Sequence, residues 1–316
     1  MPAVLRSKVL KEVGDYLSGM PLFKNAAGRQ HISERDIVGM LAEKGPLSGR
    51  EIFEQLELDY YDDREAIFNL WAVCTSSKII KGTTIGTRYL RVDKGTGKLE
   101  ITPSIPREFA DFSTWGLDSE KVASKAKEVL DYHSKVSEGK KALAKRIVEE
   151  SGSKLAKSYQ LSSLESSVCF LLVGDVAYGM SSDFRREVDG EYVKGSDLDI
   201  VIVHSDAVPT AMIKALDGAV YYSKWITLKQ NREEVDYIIK SVGRVREQTA
   251  MSTPRSIVAS KIILESVLIY GSQSLYEMAK GIVISSGAAE KLRAMALQAA
   301  QLRAAKEKQL LEELVV

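Results

Sequence analysis

Asp197 and Asp199 stand two residues apart at the head of the apolar run Leu198–Val203, just after Gly195 and Ser196. If that run is a strand, residues two apart point to the same face and the two carboxylates converge. Acids held that close repel unless a cation lies between them. Asp197 has a structural alternative, capping a turn after Gly195-Ser196. Asp199 interrupts an apolar strand, where an unpaired charge costs on the order of several kcal/mol. A metal-dependent phosphoryl-transfer site uses such a pair, because hard carboxylate oxygens suit a magnesium ion that also takes substrate phosphates.

Two further pieces fit this chemistry. Val168–Val173 is a short apolar run closed by Gly174, followed by Asp175. A glycine there lets the backbone turn tightly and lets a phosphate approach main-chain N–H groups. Asp236 is a lone acid inside the second β-like run Val235–Ile239, with Glu233 and Glu234 as competitors. Three carboxylates on adjacent strands form a two-metal site. One ion neutralises a triphosphate, and the other lowers the pKa of an attacking hydroxyl. Asp236 then lies nearest the nucleophile and is the candidate general base.

These residues resemble the DNA polymerase β-like nucleotidyltransferases, in their minimal bacterial form. Val173-Gly174 matches the family's hydrophobic-Gly start, Ser196–Val203 its Asp-hydrophobic-Asp strand, and Val235-Asp236-Tyr237 its later third acid. Lys261–Ser272 looks like the helix and Tyr-Gly turn that follow the core, so the resemblance spans residues 161–285. It implies transfer of a nucleoside monophosphate from a nucleoside triphosphate to an acceptor hydroxyl, with two Mg2+ ions and release of pyrophosphate. It implies metal ligation by Asp197, Asp199 and Asp236, and nucleotide contacts at Gly174, Asp175 and Ser196. The acceptor is open: an RNA 3′ end, a protein hydroxyl or a small molecule. Small members occur as toxins, antitoxins and antibiotic-modifying enzymes, which suggests a stress or defence role. The chain departs from the family at two places. Asp175 stands where the family has Ser or Gly, and 21 residues separate it from Asp197. That segment carries Arg185 and Arg186, either of which compensates Asp175 or grips phosphates. The alternative is that Asp175 weakens nucleotide binding.

The elements that must position these residues read as α+β. A helix-and-loop segment (1–30) precedes a winged-helix-like domain (31–95), a linker with helices (96–160), a mixed-sheet nucleotidyltransferase core (161–245) and a C-terminal helical region (246–316). Val4–Leu17 has helical spacing, and residues 20–30 read as a loop. Ser33/Asp36 and Ser48/Glu51 are helix-start signatures, and a third helix follows Asp62-Asp63. Lys78–Lys81 and Arg88–Val92 alternate like a hairpin joined by 82–87. Three short helices and a two-stranded wing resemble the winged helix-turn-helix, which implies nucleic-acid binding through the third helix and wing. Lys78, Lys81, Arg88 and Arg91 are the candidate contacts. A wing used for dimerisation or partner docking is the equal alternative.

Residues 95–118, with Pro103, Pro106 and three glycines, read as a linker. One or two helices follow over 119–158, and the lysine-rich run 140–157 reads as a solvated face. After the core motif, Pro209–Leu216 reads as a helix, Ala219–Leu228 and Val235–Lys240 as strands, and everything from Pro254 onward as helical, ending in a helix near Ala288–Leu311. The net charge of +1 gives no global pull toward nucleic acid or membrane. Cys74 and Cys169 lie in apolar runs and suit buried thiols in a reducing compartment. No signal peptide and no membrane span is read, so the expectation is cytoplasmic. Two further functions stay open. One is a catalytically weakened nucleic-acid-binding regulator using the winged helix. The other is a partner-docking protein or homodimer assembled through the C-terminal helix, which otherwise packs back on the core.

Overall fold

The run Val168–Val173 is apolar at every position because it is buried on both faces of a sheet. It forms β6 at the middle of a four-stranded sheet of order β10-β9-β6-β11, where β9 is Leu198–His204, β10 is Val235–Ser241 and β11 is Val267–Gly271. β9 runs antiparallel to β6 and parallel to β10, and β11 runs antiparallel to β6. In a computed structural model of the protein, residues 32–60, 63–159, 164–188 and 191–314 are described, without the side chains of 153–165, 185–191 and 314. The helix read over 4–19 and the loop over 20–30 lie outside the described residues.

Alternate residues of the central strands feed two cores. On one face Phe170, Leu172, Leu198, Ile200 and Ile202 pack under Ala144 and Val148 of a 41-residue helix, Ser119–Tyr159, and under Leu216 and Val220 of Thr210–Asn231. On the other face Cys169, Leu171, Val173, Val201 and Val203 meet Val242, Val245, Ile263, Leu275 and Val283 from the later helices. The expected strand over Ala219–Leu228 is therefore the second half of the Thr210–Asn231 helix. Its buried residues, Leu216, Val220, Thr227 and Leu228, follow a helical stripe, which overrides the local β-preference of Val220-Tyr221-Tyr222. The region after Pro254 is not wholly helical either, because β11 falls between Pro254–Glu265 and Gln273–Ser285.

Ahead of this sheet, α1 (Glu34–Lys44), α2 (Gly49–Gln55) and α3 (Arg64–Ser76) form where the sequence signals them. Ser48 and Glu51 close a reciprocal capping box on α2, with bonds of 3.2 and 2.7 Å. The expected hairpin does not form. β2 (Lys81–Thr84) pairs with β5 (Ser113–Gly116), and β5 also pairs with β1 (Leu47–Ser48), whereas β3 (Tyr89–Val92) pairs with β4 (Leu99–Thr102). The linker read over 95–118 is thus ordered structure: β4, the helix α4 (Ile105–Asp111) and β5. Pro106 misleads because it sits in the first turn of α4, where a missing N–H costs nothing.

The single helix Ser119–Tyr159 (α5) touches β1, β2 and β5 as well as the four-stranded sheet and the Thr210–Asn231 helix (α8), and Glu34–Val316 form one compact unit. α6 (Leu164–Ser167) and α7 (Gly174–Ala177) flank β6. Residues 185–194 make a small hairpin, β7 (Arg185–Val188) with β8 (Glu191–Lys194). After α9 (Val242–Gln248), α10 (Pro254–Glu265) and α11 (Gln273–Ser285), the last helix, α12 (Ala288–Leu314), packs back on the body as expected. Its Leu292 and Ala299 lie against Leu90, Val92 and Ile101 of the β3–β4 hairpin. No helix among the described residues is long and apolar enough to cross a membrane.

Candidate metal centre

Register brings the acids together. Asp199 sits opposite Asp236 on β10 and opposite Val173 on β6, and Asp197 precedes it by one pleat on the same face. Carboxylate oxygens of Asp197, Asp199 and Asp236 lie within 4.8 Å of one another. Such a set of hard oxygens can hold a metal ion, and its chemistry fits a magnesium-type cation. Asp199 is the most confined of the three charges. Burial, then the charges of Asp197, Asp236 and Asp175, push its pKa up from 3.8 to about 7, with Lys94 opposing. Asp236 is half exposed and holds Lys224 Nζ at 2.9 Å.

No protein-family model matches this chain, and a comparison with curated proteins found no match.

The turns around the acids are built for close approach. Gly174 has φ +71°, and a Cβ there would lie 2.5 Å from Asp199 Oδ2. Only glycine lets β6 end against that carboxylate. Gly195 has φ +51°, and a Cβ there would lie 1.7 Å from the Ser182 carbonyl oxygen, so only glycine lets the chain enter Ser196 and Asp197 by this path. Ser196 Oγ accepts from Ser182 N at 3.0 Å and donates to Asp175 Oδ2 at 3.2 Å.

Lys140 lies in the run read as a solvated face, and it is buried. Its ammonium pairs with Glu233 and donates to the carbonyls of Lys194 at 2.9 Å and Ser196 at 2.8 Å. A lysine on the long helix thereby pins both ends of the turn that delivers Asp197. Glu233 is committed to this pair, and it is Asp236 that joins the acid cluster. Arg107 neutralises Asp175, at 2.6 Å. Arg185 and Arg186 open the β7–β8 hairpin, and their side chains are outside the described set. Arg107 escapes a reading of the sequence because it falls in the stretch that resembles a linker. The phenol of Tyr89 also donates to Asp175.

The four candidate nucleic-acid contacts stand in two different sheets or beside them. Lys78 and Lys81 are exposed, and Lys81 Nζ donates to the Lys78 carbonyl at 3.0 Å. Arg88 is exposed but paired, with Glu108 at 2.7 Å and Glu307 at 3.1 Å, and Arg91 is exposed as well. α3 buries Ile67, Leu70, Trp71, Ala72 and Cys74 and is packed by α12. Beside Asp236, between α8 and β10, opens a cavity of about 570 Å³, lined in part by Lys214, Asp217, Tyr221, Lys224 and Tyr237.

Proposed function

We propose that the chain is a metal-dependent nucleotidyltransferase. The observation that carries this reading is the convergence of Asp197, Asp199 and Asp236 from two parallel strands onto one point beside a glycine turn. Together with the match of Gly174, Ser196–Val203 and Val235–Tyr237 to the polymerase β-like pattern, it supports a mixed-sheet transferase core. Bound magnesium would neutralise the triphosphate and make the acceptor hydroxyl more acidic. The protein's own groups do the rest. Asp197 and Asp199, fixed by Lys140 and by the Gly174 turn, hold the donor end. Asp236, at the mouth of the α8–β10 cavity, faces the acceptor. Its carboxylate takes the hydroxyl proton as the acceptor oxygen attacks the α-phosphorus, and the α–β P–O bond breaks to release pyrophosphate. Lys224, 2.9 Å from Asp236, orients that carboxylate between its metal and base roles.

A second reading rests on the sheet order β1-β5-β2 lying beside α1, α2 and α3. That arrangement supports a winged-helix-like module whose wing, β2 and β5, is split by residues 85–112. Lys78 and Lys81 are its exposed cations for a nucleic acid, and with catalysis weakened the chain would act as a regulator.

Labelled nucleoside triphosphates with Mg2+ and cell RNA or extract, beside an Asp197→Ala/Asp199→Ala variant, separate the two. Label transfer that the variant loses is the expected result. No transfer to any acceptor, with no Mg2+-dependent triphosphate binding, sinks the enzyme. Oligonucleotide binding unchanged in Lys78→Glu/Lys81→Glu sinks the wing contact.

A further inference from the structure

The carboxylate of Asp175 is gripped in the way an anion would be. Oδ2 receives Arg107 Nη2 at 2.6 Å and Ser196 Oγ at 3.2 Å, and Oδ1 receives the Tyr89 phenol. A guanidinium with two hydroxyls is a donor set suited to phosphate oxygens. The grip lies beside the acid cluster: Asp175 directly follows Gly174, against which Asp199 Oδ2 is packed, and its charge is felt at Asp199.

Two of the three donors come from far away in sequence, on the segment 85–112 that splits β2 from β5. Tyr89 is on β3, its ring stacked on Tyr178 at 4.1 Å with Lys261 Nζ 5.2 Å above it. Arg107 is on α4, and it also donates to the Met180 carbonyl at 3.3 Å and lies 3.9 Å from Asp111. Asp111, which Arg50 fixes at 2.6 Å, and the Met180 carbonyl remain beside Arg107 when Asp175 leaves. Asp199 and Asp236 are brought together by strand register, and Asp197 by the turn that Lys140 pins, not by this contact.

We propose that Arg107, Ser196 and Tyr89 form the subsite for a phosphate of the magnesium-bound triphosphate, and that Asp175 fills this subsite until the nucleotide displaces it. The inference rests on the nucleotidyltransferase reading and gives it a donor set that its motif lacked. It turns Asp175 from a repulsive residue at the phosphate position into a tethered surrogate anion.

The test is calorimetric titration of Mg2+-tripolyphosphate into the full chain, with folding of each variant checked by thermal melting. Asp175→Asn removes the competing charge and keeps the shape. It should bind about tenfold more tightly, a gain of about 1.4 kcal/mol. Arg107→Ala should bind at least tenfold more weakly, and Asp175→Asn/Arg107→Ala should show none of the gain. An Asp175→Asn protein that folds and binds no more tightly than the parent overturns the subsite while leaving the transferase reading intact. Absence of Mg2+-tripolyphosphate binding in the parent and every variant removes both. Hydrogen exchange on the unmodified chain is the second measurement. Adding Mg2+-tripolyphosphate should speed exchange over Asp175–Gly179 as Asp175 loses Arg107 and Tyr89, and unchanged exchange there overturns the displacement.

Discussion

Asp199→Asn should make the metal-free protein more stable while destroying its metal site. In the folded chain the Asp199 carboxyl is half-ionised near pH 7, against 3.8 unfolded, because it is buried and faces three other acids. Its folded pKa is raised, so between those values the folded state binds more protons than the unfolded one. Stability therefore falls as pH climbs from about 4 to about 7, and above pH 7 the full cost is present. The span corresponds to roughly 4 kcal/mol at most, at about 1.4 kcal/mol per unit. An uncharged amide of the same shape removes it. In EDTA at pH 8, Asp199→Asn should melt about 4–8 °C above the parent, since 1 kcal/mol moves Tm by roughly 1–2 °C in a chain of this length. The gain should shrink steadily as the pH is lowered toward 4. Added Mg2+ should raise the Tm of the parent and leave the variant unmoved, because only a folded intact triad binds it. A variant no more stable than the parent at pH 8, or one whose advantage is the same at pH 4.5, refutes the claim that these carboxylates are crowded in the absence of metal.

Gly174→Ala forces an L-residue into a left-handed backbone, at about 1–2 kcal/mol, and sets a methyl against Asp199 Oδ2; a lower Tm and weaker Mn2+ binding by electron paramagnetic resonance are expected. Lys140→Met strips Glu233 of its buried lysine and frees the Ser196 carbonyl, so chemical denaturation should show a loss of about 3–5 kcal/mol, with much of it recovered in Lys140→Met/Glu233→Leu. Lys240 is buried, and desolvation followed by Arg244 depresses its pKa from 10.5 to about 8. Its penalty is complete below pH 8 and fades by pH 10.5, so Lys240→Met should stabilise by about 2–3 kcal/mol at pH 7 and by progressively less above pH 8.

What the sequence disclosed and what it hid follow from how local each signal is. Asp197, Asp199 and Asp236 were legible because an acid inside an apolar strand is costly unless a cation offsets it, and strand register then did the convergence. Helices α1, α2 and α3 were legible through their caps. The pairing of β2 with β5 was not, because the residues between them form a complete sub-structure, and adjacency in sequence favoured β3 as the partner. Arg107 and Tyr89 were invisible for the same reason: their partner, Asp175, is distant in the chain, and nothing in a proline-containing stretch announces an arginine aimed at a carboxylate. Lys140 reads as solvated because lysine-rich helices usually are, and only the fold shows that Glu233 and two carbonyls await one of those lysines. The tyrosines and valine of α8 carried a strand preference that the burial of one helical stripe outweighed.

The helix Ser119–Tyr159 extends roughly 60 Å at 1.5 Å per residue. One stretch of it walls β1, β2 and β5, and another walls the four-stranded sheet and supplies Lys140. A rod shared in this way has two tenants and one lease. Excising residues 34–118 to obtain a minimal fragment would strip one flank of the rod bare, and replacing the sheet would strip the other. A variant that swaps either half for an unrelated piece must therefore rebuild the rod as well.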